Sequence, residues 1–292
     1  MSILVCIPAF NEEGVIGNLI KKIFSFADSV VVCDDGSSDN TSKEAKKFGA
    51  LVIKHNENKG KGAALKTLFN HARHSKSDII VTIDGDGQFL PHEIKKLTKP
   101  IQEKSADIVV GYRFDDTTEM PSYRKFGNKL LDRATNIITD LPIRDTQSGY
   151  RAYSKKAIDL IKFSNDGFTA DSEILISASE NGLRISEEKI TVIYDTGHKT
   201  STKNPVSHAG GVLGSLIELI LVKHPLKYLG IPGIISLIIG FIFLSSTFIV
   251  YNDTHILPIS LALISFAVLT LGLLLTLSAG ILFSINRSIF HK

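Results

Sequence analysis

The chain has 292 residues, 43% of them hydrophobic and 22% charged, with a formal net charge of +3. That length accommodates one α/β domain of about 200 residues and an appendage. The charge excess is too small, and no basic block is long enough, to suggest nucleic acid as a partner.

Met1 to Leu4 runs straight into strand-like sequence, with neither a basic leader nor a small-residue cleavage site. The catalytic part is therefore expected to be cytosolic and reduced. Short apolar runs alternate with longer helical patterns from there on. Ile3–Pro8 reads as a strand, and Glu13–Phe26 as a helix carrying Val15, Ile16, Leu19, Ile20 and Ile23 at helical spacing. Val30–Cys33 is a second strand, followed by a helix capped at Asp39-Asn40-Thr41 and running to Phe48. Ala50–Lys54, a helix over Gly62–Arg73, Asp78–Ile83 and Ala106–Val110 complete a strand–helix alternation that means a mostly parallel sheet with helices on both faces. Cys6 and Cys33 sit inside strand-like runs and read as small buried hydrophobes, since two thiols alone hold no zinc. Helices are expected over Arg124–Thr139, Lys155–Lys162 and Ala170–Asn181, and a last strand over Arg184–Tyr194.

The remainder is apolar. Val212–Val222 has a narrow polar stripe (Ser215, Glu218) and is followed by Lys223, His224 and Lys227, which fits an interfacial helix; a buried helix would read similarly. Leu229–Val250 and Leu257–Ile285 contain no charged residue and are each long enough to cross about 30 Å of hydrocarbon. The loop between them carries Asp253 and no Lys or Arg, whereas the flanks carry Lys223, Lys227, Arg287 and Lys292. By the distribution of positive charge, both flanks, and with them both chain termini, face the cytosol. The glycosylation triplet Asn252-Asp253-Thr254 lies almost at the membrane surface and reads as chance. The expected organisation is a catalytic domain over 1–205, an interfacial helix over 206–228 and a two-helix hairpin over 229–292, whose apolar faces could also pair between copies.

Four polar motifs fall at strand ends, where parallel sheets bind ligands. Asp84-Gly85-Asp86-Gly87-Gln88 follows the fourth strand. Two carboxylates in alternate positions suit Mg2+ or Mn2+, which takes one or two carboxylates and completes its shell with phosphate and water. Pro8-Ala9-Phe10-Asn11-Glu12 ends the first strand, and Asp34-Asp35-Gly36-Ser37 the second. Asn11 and Glu12 can read the edge of a base, though alone the first motif reads better as a capped strand-to-helix turn; Asp34 and Asp35 can accept from a base N–H and from ribose hydroxyls, or form a capping turn. Asn58-Lys59-Gly60-Lys61-Gly62 brings lysine to a helix start, which suits phosphate, although it lacks the spacing of a P-loop.

In this order the motifs resemble those of the family 2 glycosyltransferases, over Ile3 to about Tyr194. The resemblance implies the GT-A fold, a nucleotide-sugar donor bound by Pro8, Ala9, Asn11, Glu12, Asp34, Asp35, Lys61, Asp84 and Gly85, and a divalent cation on Asp84 and Asp86. Gln88 stands where the dolichol-phosphate mannose synthase branch supplies a further metal ligand. The chain is similar to that branch in Gly111-Tyr112-Arg113, in Arg124 and Asn128, in Asp145-Thr146-Gln147-Ser148-Gly149-Tyr150-Arg151, and in Lys203 before the membrane segment. Arginine forks match phosphate oxygens, so a polyprenyl phosphate acceptor accounts for Arg113, Arg124 and Lys203, with Asn128 and Ser148 beside them. Asp86, Arg124 and Asp145 are the expected catalytic residues, Asp145 in an orienting role. The expected reaction is inverting transfer of a hexose from a UDP- or GDP-sugar to dolichyl or undecaprenyl phosphate. A processive polysaccharide synthase is disfavoured by the absence of tryptophan and by having only two spans. The arginine set argues against an uncharged lipid acceptor, and the intact pair Asp84 and Asp86 against a non-catalytic sugar-nucleotide binder.

Overall fold

The computed structural model describes residues 1–113, 142–163, 170–193 and 224–290, together with 132–133, 135–137, 139 and 221. The chain divides into two compact units, Met1–Leu213 and Gly214–Lys292.

The first unit is built on strands β1 (Ile3–Ala9), β2 (Ser29–Asp34), β3 (Leu51–Lys54), β4 (Ile79–Thr82), β5 (Ile108–Tyr112), β6 (Arg151–Ser154) and β7 (Ile185–Lys189). They form one seven-stranded sheet in the order β3-β2-β1-β4-β6-β5-β7. The β1–β2, β1–β4, β2–β3 and β5–β7 pairs are parallel, while β6 runs antiparallel to both β4 and β5. Helices α1 (Ile16–Ile23), α2 (Thr41–Lys47), α3 (Lys61–His74) and α4 (Ile94–Gln102) lie between the early strands, and α5 (Lys155–Leu160) and α6 (Ala170–Glu180) between β6 and β7. Two elements were not foreseen: α4, and the four-residue strand β6.

The period-2 alternation of the strands sorts the core into two layers. Val5, Ile7, Val30, Val32 and Val81 pack with Ile16, Ile20 and Ile23 of α1 and Leu97 of α4. Leu4, Cys6, Val31, Cys33 and Ile80 pack on the other face with Leu65, Leu68 and Phe69 of α3 and Ile174 of α6. Each such side chain contributes about 1.5–3 kcal/mol on burial, so covering both faces of β1, β2 and β4 is the main stabilising term. Both cysteines are free and buried, and burial raises both thiols, Cys33 to about 12.

The sheet reverses direction of growth at β1: β2 and β3 extend one way, β4 and the later strands the other. Ala9 pairs with Asp34 at the carboxyl ends of β1 and β2, and Cys6 with Thr82 toward the end of β4. Because β6 is antiparallel, it begins at this same rim, Arg151 opposite Thr82. Segments 10–13, 35–38, 84–88, 113 and 145–150 thus leave or enter the sheet on one edge.

In the second unit, α7 (Ile231–Thr254) follows a π-helical turn over Leu226–Gly230, and α8 (Ile259–Phe290) returns. The stretches Leu226–Thr254 and Ile259–Ile285 each reach a mean hydropathy of 2.4 and are long enough to span a membrane. Glycines let the two backbones approach: a Cβ on Gly272 would lie 2.8 Å from Leu237 N, and one on Gly233 2.9 Å from Thr276 N. Ser236 Oγ donates to Val268 O across the pair at 2.9 Å. Outward faces expose Ile238, Phe241, Phe248 and Phe266, as lipid contact requires. Of the expected interfacial helix over 212–222, all but Leu221 lies outside the described residues, as does most of the helix expected over 124–139.

Candidate active site

The two motifs that end β1 and β2 are stitched to each other. Asn11 has φ +58°, a left-handed turn that asparagine tolerates through local side-chain bonding. Its N–H donates to Ser37 Oγ at 2.9 Å, and its Oδ1 accepts from Ser38 N at 2.9 Å. Glu12 N donates to Thr41 Oγ1 at 2.7 Å. Asp34 accepts from Ser37 N at 2.9 Å and from Ser42 Oγ. Burial works to raise its carboxyl, but the bonds from Ser37 and Ser42 and the charge of Lys54 hold it below its ordinary value. Asp35 fastens the approach to α3: it accepts from Gly60 N at 2.7 Å and Lys59 N at 3.1 Å, and lies 2.6 Å from His55 Nδ1. The capping and turn roles of Asp34 and Asp35 are therefore filled, and they set the shape of the crevice between the strand ends.

Asp84, Gly85 and Asp86 follow β4 beside this crevice. Gly85 lies against the end of β1, where an added Cβ would stand 3.1 Å from Pro8 O and 3.3 Å from Ala9 Cβ. Asp86 Oδ1 accepts from Gln88 N at 3.0 Å, and Gln88 O accepts from Ile193 N at 2.9 Å, so the Gln88 backbone braces the turn. Burial and the like charge of Asp84 push Asp86 up to about 6. Burial, Asp86, Asp39 and Asp84 push Glu12 up to about 7. The charge of Asp84 thus bears on both Asp86 and Glu12, an arrangement that favours a cation. The Lys61 ammonium stands 2.9 Å from Asp84 Oδ1 and 3.3 Å from Asp171 Oδ2. Beneath them Gly149 leaves no room for a side chain: a Cβ there would be 2.5 Å from Asp84 Oδ2 and 2.7 Å from Lys61 Nζ. Hard carboxylate oxygens with an excess of negative charge fit Mg2+ or Mn2+, with Asp84 and Asp86 as the residues that would hold it.

On the far side, Arg113 and Asp145 pair through Nε–Oδ2 at 2.7 Å and Nη2–Oδ1 at 2.9 Å. The segment from Asp145 to Gly149 is held by Arg151, whose wholly buried guanidinium donates to Ser148 O, Thr146 O and Asp171 O at 2.8, 2.7 and 2.8 Å. Thr82 Oγ1 donates to Gly149 O at 2.9 Å. Ser148 is buried and its Oγ faces Tyr150 N at 3.4 Å. Asp132 accepts from Thr146 N and Oγ1 at 2.8 and 2.7 Å; burial raises its carboxyl to about 6 against those bonds.

The structure therefore gathers Pro8, Ala9, Asn11, Glu12, Asp34, Asp35, Lys61, Asp84, Gly85, Asp86, Gln88, Arg113, Asp145 and Ser148 at one rim. Arg124, Asn128 and Lys203 lie outside the described residues. Sequence reasoning missed Asp171, and it named Gly149 and Arg151 only within their motif, without the close approach of the one or the bracing role of the other. Asp171 opens α6, where a first-turn acid ordinarily reads as a complement to the helix dipole.

The sequence profile described as Glycosyl transferase family 2 matches residues 4–161. The UDP-N-acetylglucosamine–dolichyl-phosphate N-acetylglucosaminyltransferase of Methanococcus voltae is 35% identical over 215 residues, covering 66% of this chain and 86% of that one. The dolichyl-phosphate hexose transferase of Haloferax volcanii is 29% identical over 227 residues, covering 76% and 95%. Among solved structures, glucosyl-3-phosphoglycerate synthase from Mycobacterium tuberculosis, in complex with Mn2+, UDP and glucosyl-3-phosphoglycerate, superposes with a TM-score of 0.57 at 22% identity, covering 76% and 79%. With a GT-A sheet, polar motifs gathered at its rim and two apolar C-terminal helices, this chain belongs to the family 2 glycosyltransferases and is a membrane glycosyltransferase.

Proposed function

We propose that the protein transfers a hexose, with inversion, from a UDP- or GDP-sugar to a polyprenyl phosphate at the cytosolic membrane face. The observation that carries this reading is the convergence, on one sheet rim, of the acid pair Asp84 and Asp86 with the closed Arg113–Asp145 pair. The first suits a diphosphate bridged by a cation, and the second presents a fixed guanidinium beside it. The names of the relatives support a polyprenyl acceptor, and the Mn2+ and UDP of the M. tuberculosis structure support the donor side.

In this reading the crevice between the β1 and β2 ends, shaped by Asn11, Glu12, Asp34 and Asp35, receives the nucleoside. Lys61 neutralises the diphosphate. A divalent cation, when bound at Asp84 and Asp86 with Gln88 alongside, would offset charge on the departing nucleoside diphosphate. Arg113 orients an acceptor phosphate, and Arg124, Asn128, Ser148 and Lys203 are assigned to the same anion. Asp145 fixes the Arg113 fork and accepts no proton, because a phosphate monoester has its second pKa near 6 and is already nucleophilic at neutral pH. Positioning for in-line attack is then the main demand on the protein. The chain then comprises a catalytic domain over 1–205, an interfacial segment over 206–228 and a hairpin over 229–292 that tethers the enzyme to the membrane carrying its acceptor.

The test is a donor screen. Detergent-solubilised protein is incubated with a short-chain polyprenyl phosphate and UDP-glucose, UDP-N-acetylglucosamine or GDP-mannose, and the anomeric configuration of the product is read by NMR. One donor should give a sugar phosphodiester of inverted configuration. Products formed only by hydrolysis, or with retained configuration, would overturn the reading.

A further inference from the structure

Two ion pairs at the rim differ in kind. Arg113 and Asp145 are closed, with side chains 15% and 0% exposed and two parallel hydrogen bonds. Lys61 and Asp84 are open, at 39% and 26%. A pair this exposed is weak and exchanges partners readily. Its geometry is nonetheless specific: the ammonium stands 2.9 Å from Asp84 Oδ1 and 3.2 Å from Oδ2, so it faces both oxygens that a cation would use.

The ammonium also has a second seat. Asp171 Oδ2 lies 3.3 Å from Lys61 Nζ, and Asp171 is held by the buried Arg151, which donates to its carbonyl at 2.8 Å. The base of Lys61 is fixed as well: it is the first residue of α3, after Gly60 at φ +91°, and Asp35 ties the backbone of Lys59 and Gly60. A fixed base and a flexible four-carbon stem, with Asp84 and Asp171 both within 3.3 Å of its tip, describe an arm able to give up one carboxylate and keep the other.

We propose that Lys61 makes cation loading conditional on the donor: in the empty enzyme its ammonium covers Asp84, and an arriving diphosphate draws it off and exposes the carboxylate. This rests on the assignment of Asp84 and Asp86 as cation ligands. With the ammonium in place, a divalent cation approaching Asp84 meets a like charge and a carboxylate already neutralised. A diphosphate offers Lys61 a richer anionic partner, and Asp171 retains it near the rim during the exchange. Cation and sugar nucleotide then bind with positive coupling, and by linkage each strengthens the other equally.

The experiment titrates Mn2+ into detergent-solubilised full-length protein and reads free Mn2+ by electron paramagnetic resonance, without nucleotide and with saturating UDP or GDP. In the wild type, nucleotide should tighten Mn2+ binding by at least about tenfold. Lys61→Met should bind Mn2+ without nucleotide about three- to fivefold more tightly than wild type, as removal of an exposed competing ammonium requires, and should lose that part of the coupling, the remainder coming from the diphosphate's own oxygens on the cation. Lys61→Arg, which keeps the charge, should retain the coupling. Unchanged or weaker nucleotide-free Mn2+ binding in Lys61→Met overturns the inference and leaves the cation site standing. Failure of the wild type to bind Mn2+ even with UDP or GDP overturns the site assignment as well.

Discussion

Asp145 receives three hydrogen bonds from a single residue: Arg113 reaches it with Nε at 2.7 Å, Nη2 at 2.9 Å and its own backbone N–H at 3.1 Å. Asp145 is wholly buried, and that guanidinium stands against its charge. Asp145→Asn keeps the volume but removes the carboxylate from its bidentate pair with Arg113, which should cost about 3 kcal/mol of stability. Turnover should fall by about two orders of magnitude, because a guanidinium released from its fork no longer orients a phosphate. Circular dichroism melts and initial rates check both; full turnover in a folded Asp145→Asn protein would remove the orienting role.

Gly149 is the floor under the Asp84 carboxylate. The alanine methyl in Gly149→Ala would sit 2.5 Å from Asp84 Oδ2 and 2.6 Å from Oδ1, and the carboxylate must turn away. The backbone of Gly149 does not need a left-handed conformation, so the cost should fall on the site more than on the fold. We expect kcat/KM to drop by about a hundredfold with an unfolding midpoint close to wild type, a loss of about 2.7 kcal/mol in transition-state stabilisation.

Asp35 should act through the loop before α3. In Asp35→Ala the backbone N–H groups of Lys59 and Gly60 and the His55 ring lose their acceptor, a loss of about 2–3 kcal/mol. Hydrogen exchange over residues 55–62 should accelerate while that of β1 and β4 holds, and nucleotide affinity should weaken by about tenfold. Unaltered exchange in that loop would count against the clamp.

Glu12 provides a test in pH. Burial and the charges of Asp86, Asp39 and Asp84 raise its carboxyl from an ordinary 4.5 to about 7. A carboxyl with a raised pKa weakens the folded state as it ionises, so its penalty grows between pH 4.5 and about 7 and is complete above that. Glu12→Gln should therefore stabilise the ligand-free protein by about 1–2 kcal/mol at pH 8, after allowance for solvent screening, and by nothing near pH 4.5. Equal melting points at pH 8 would contradict the electrostatic account of the rim.

The strands β1 to β4 were legible because each is a short apolar run ended by a polar turn, and the crossover helices because their buried residues recur at helical spacing. Two elements escaped for different reasons. Helix α4 carries Ile94, Leu97, Thr98 and Ile101 at the expected intervals and buries them, but Pro91 and Pro100 mask the pattern. Strand β6 has only Arg151, Ala152, Tyr153 and Ser154, and becomes a strand by pairing with both β4 and β5. No local signal announces an arginine as the buried brace of a loop. The site was legible in its carboxylates, which stand beside strand ends, and not in the partners that hold them. Asp171 meets Lys61 from 110 positions away, and Gly149 meets Asp84 across the β4–β6 pair. Such contacts belong to topology.

The central claim, that Asp84 and Asp86 grip a divalent cation while a sugar passes from nucleotide to polyprenyl phosphate, is tested most directly by following label into an organic extract. Purified protein, radiolabelled UDP- or GDP-sugar and polyprenyl phosphate are combined with Mn2+, with EDTA, and with Asp86→Asn in place of wild type. The account predicts lipid-extractable label with Mn2+, none with EDTA, recovery when Mn2+ is restored, and a loss of at least about a hundredfold in Asp86→Asn. Transfer that persists in EDTA, or at wild-type rate in Asp86→Asn, would contradict it.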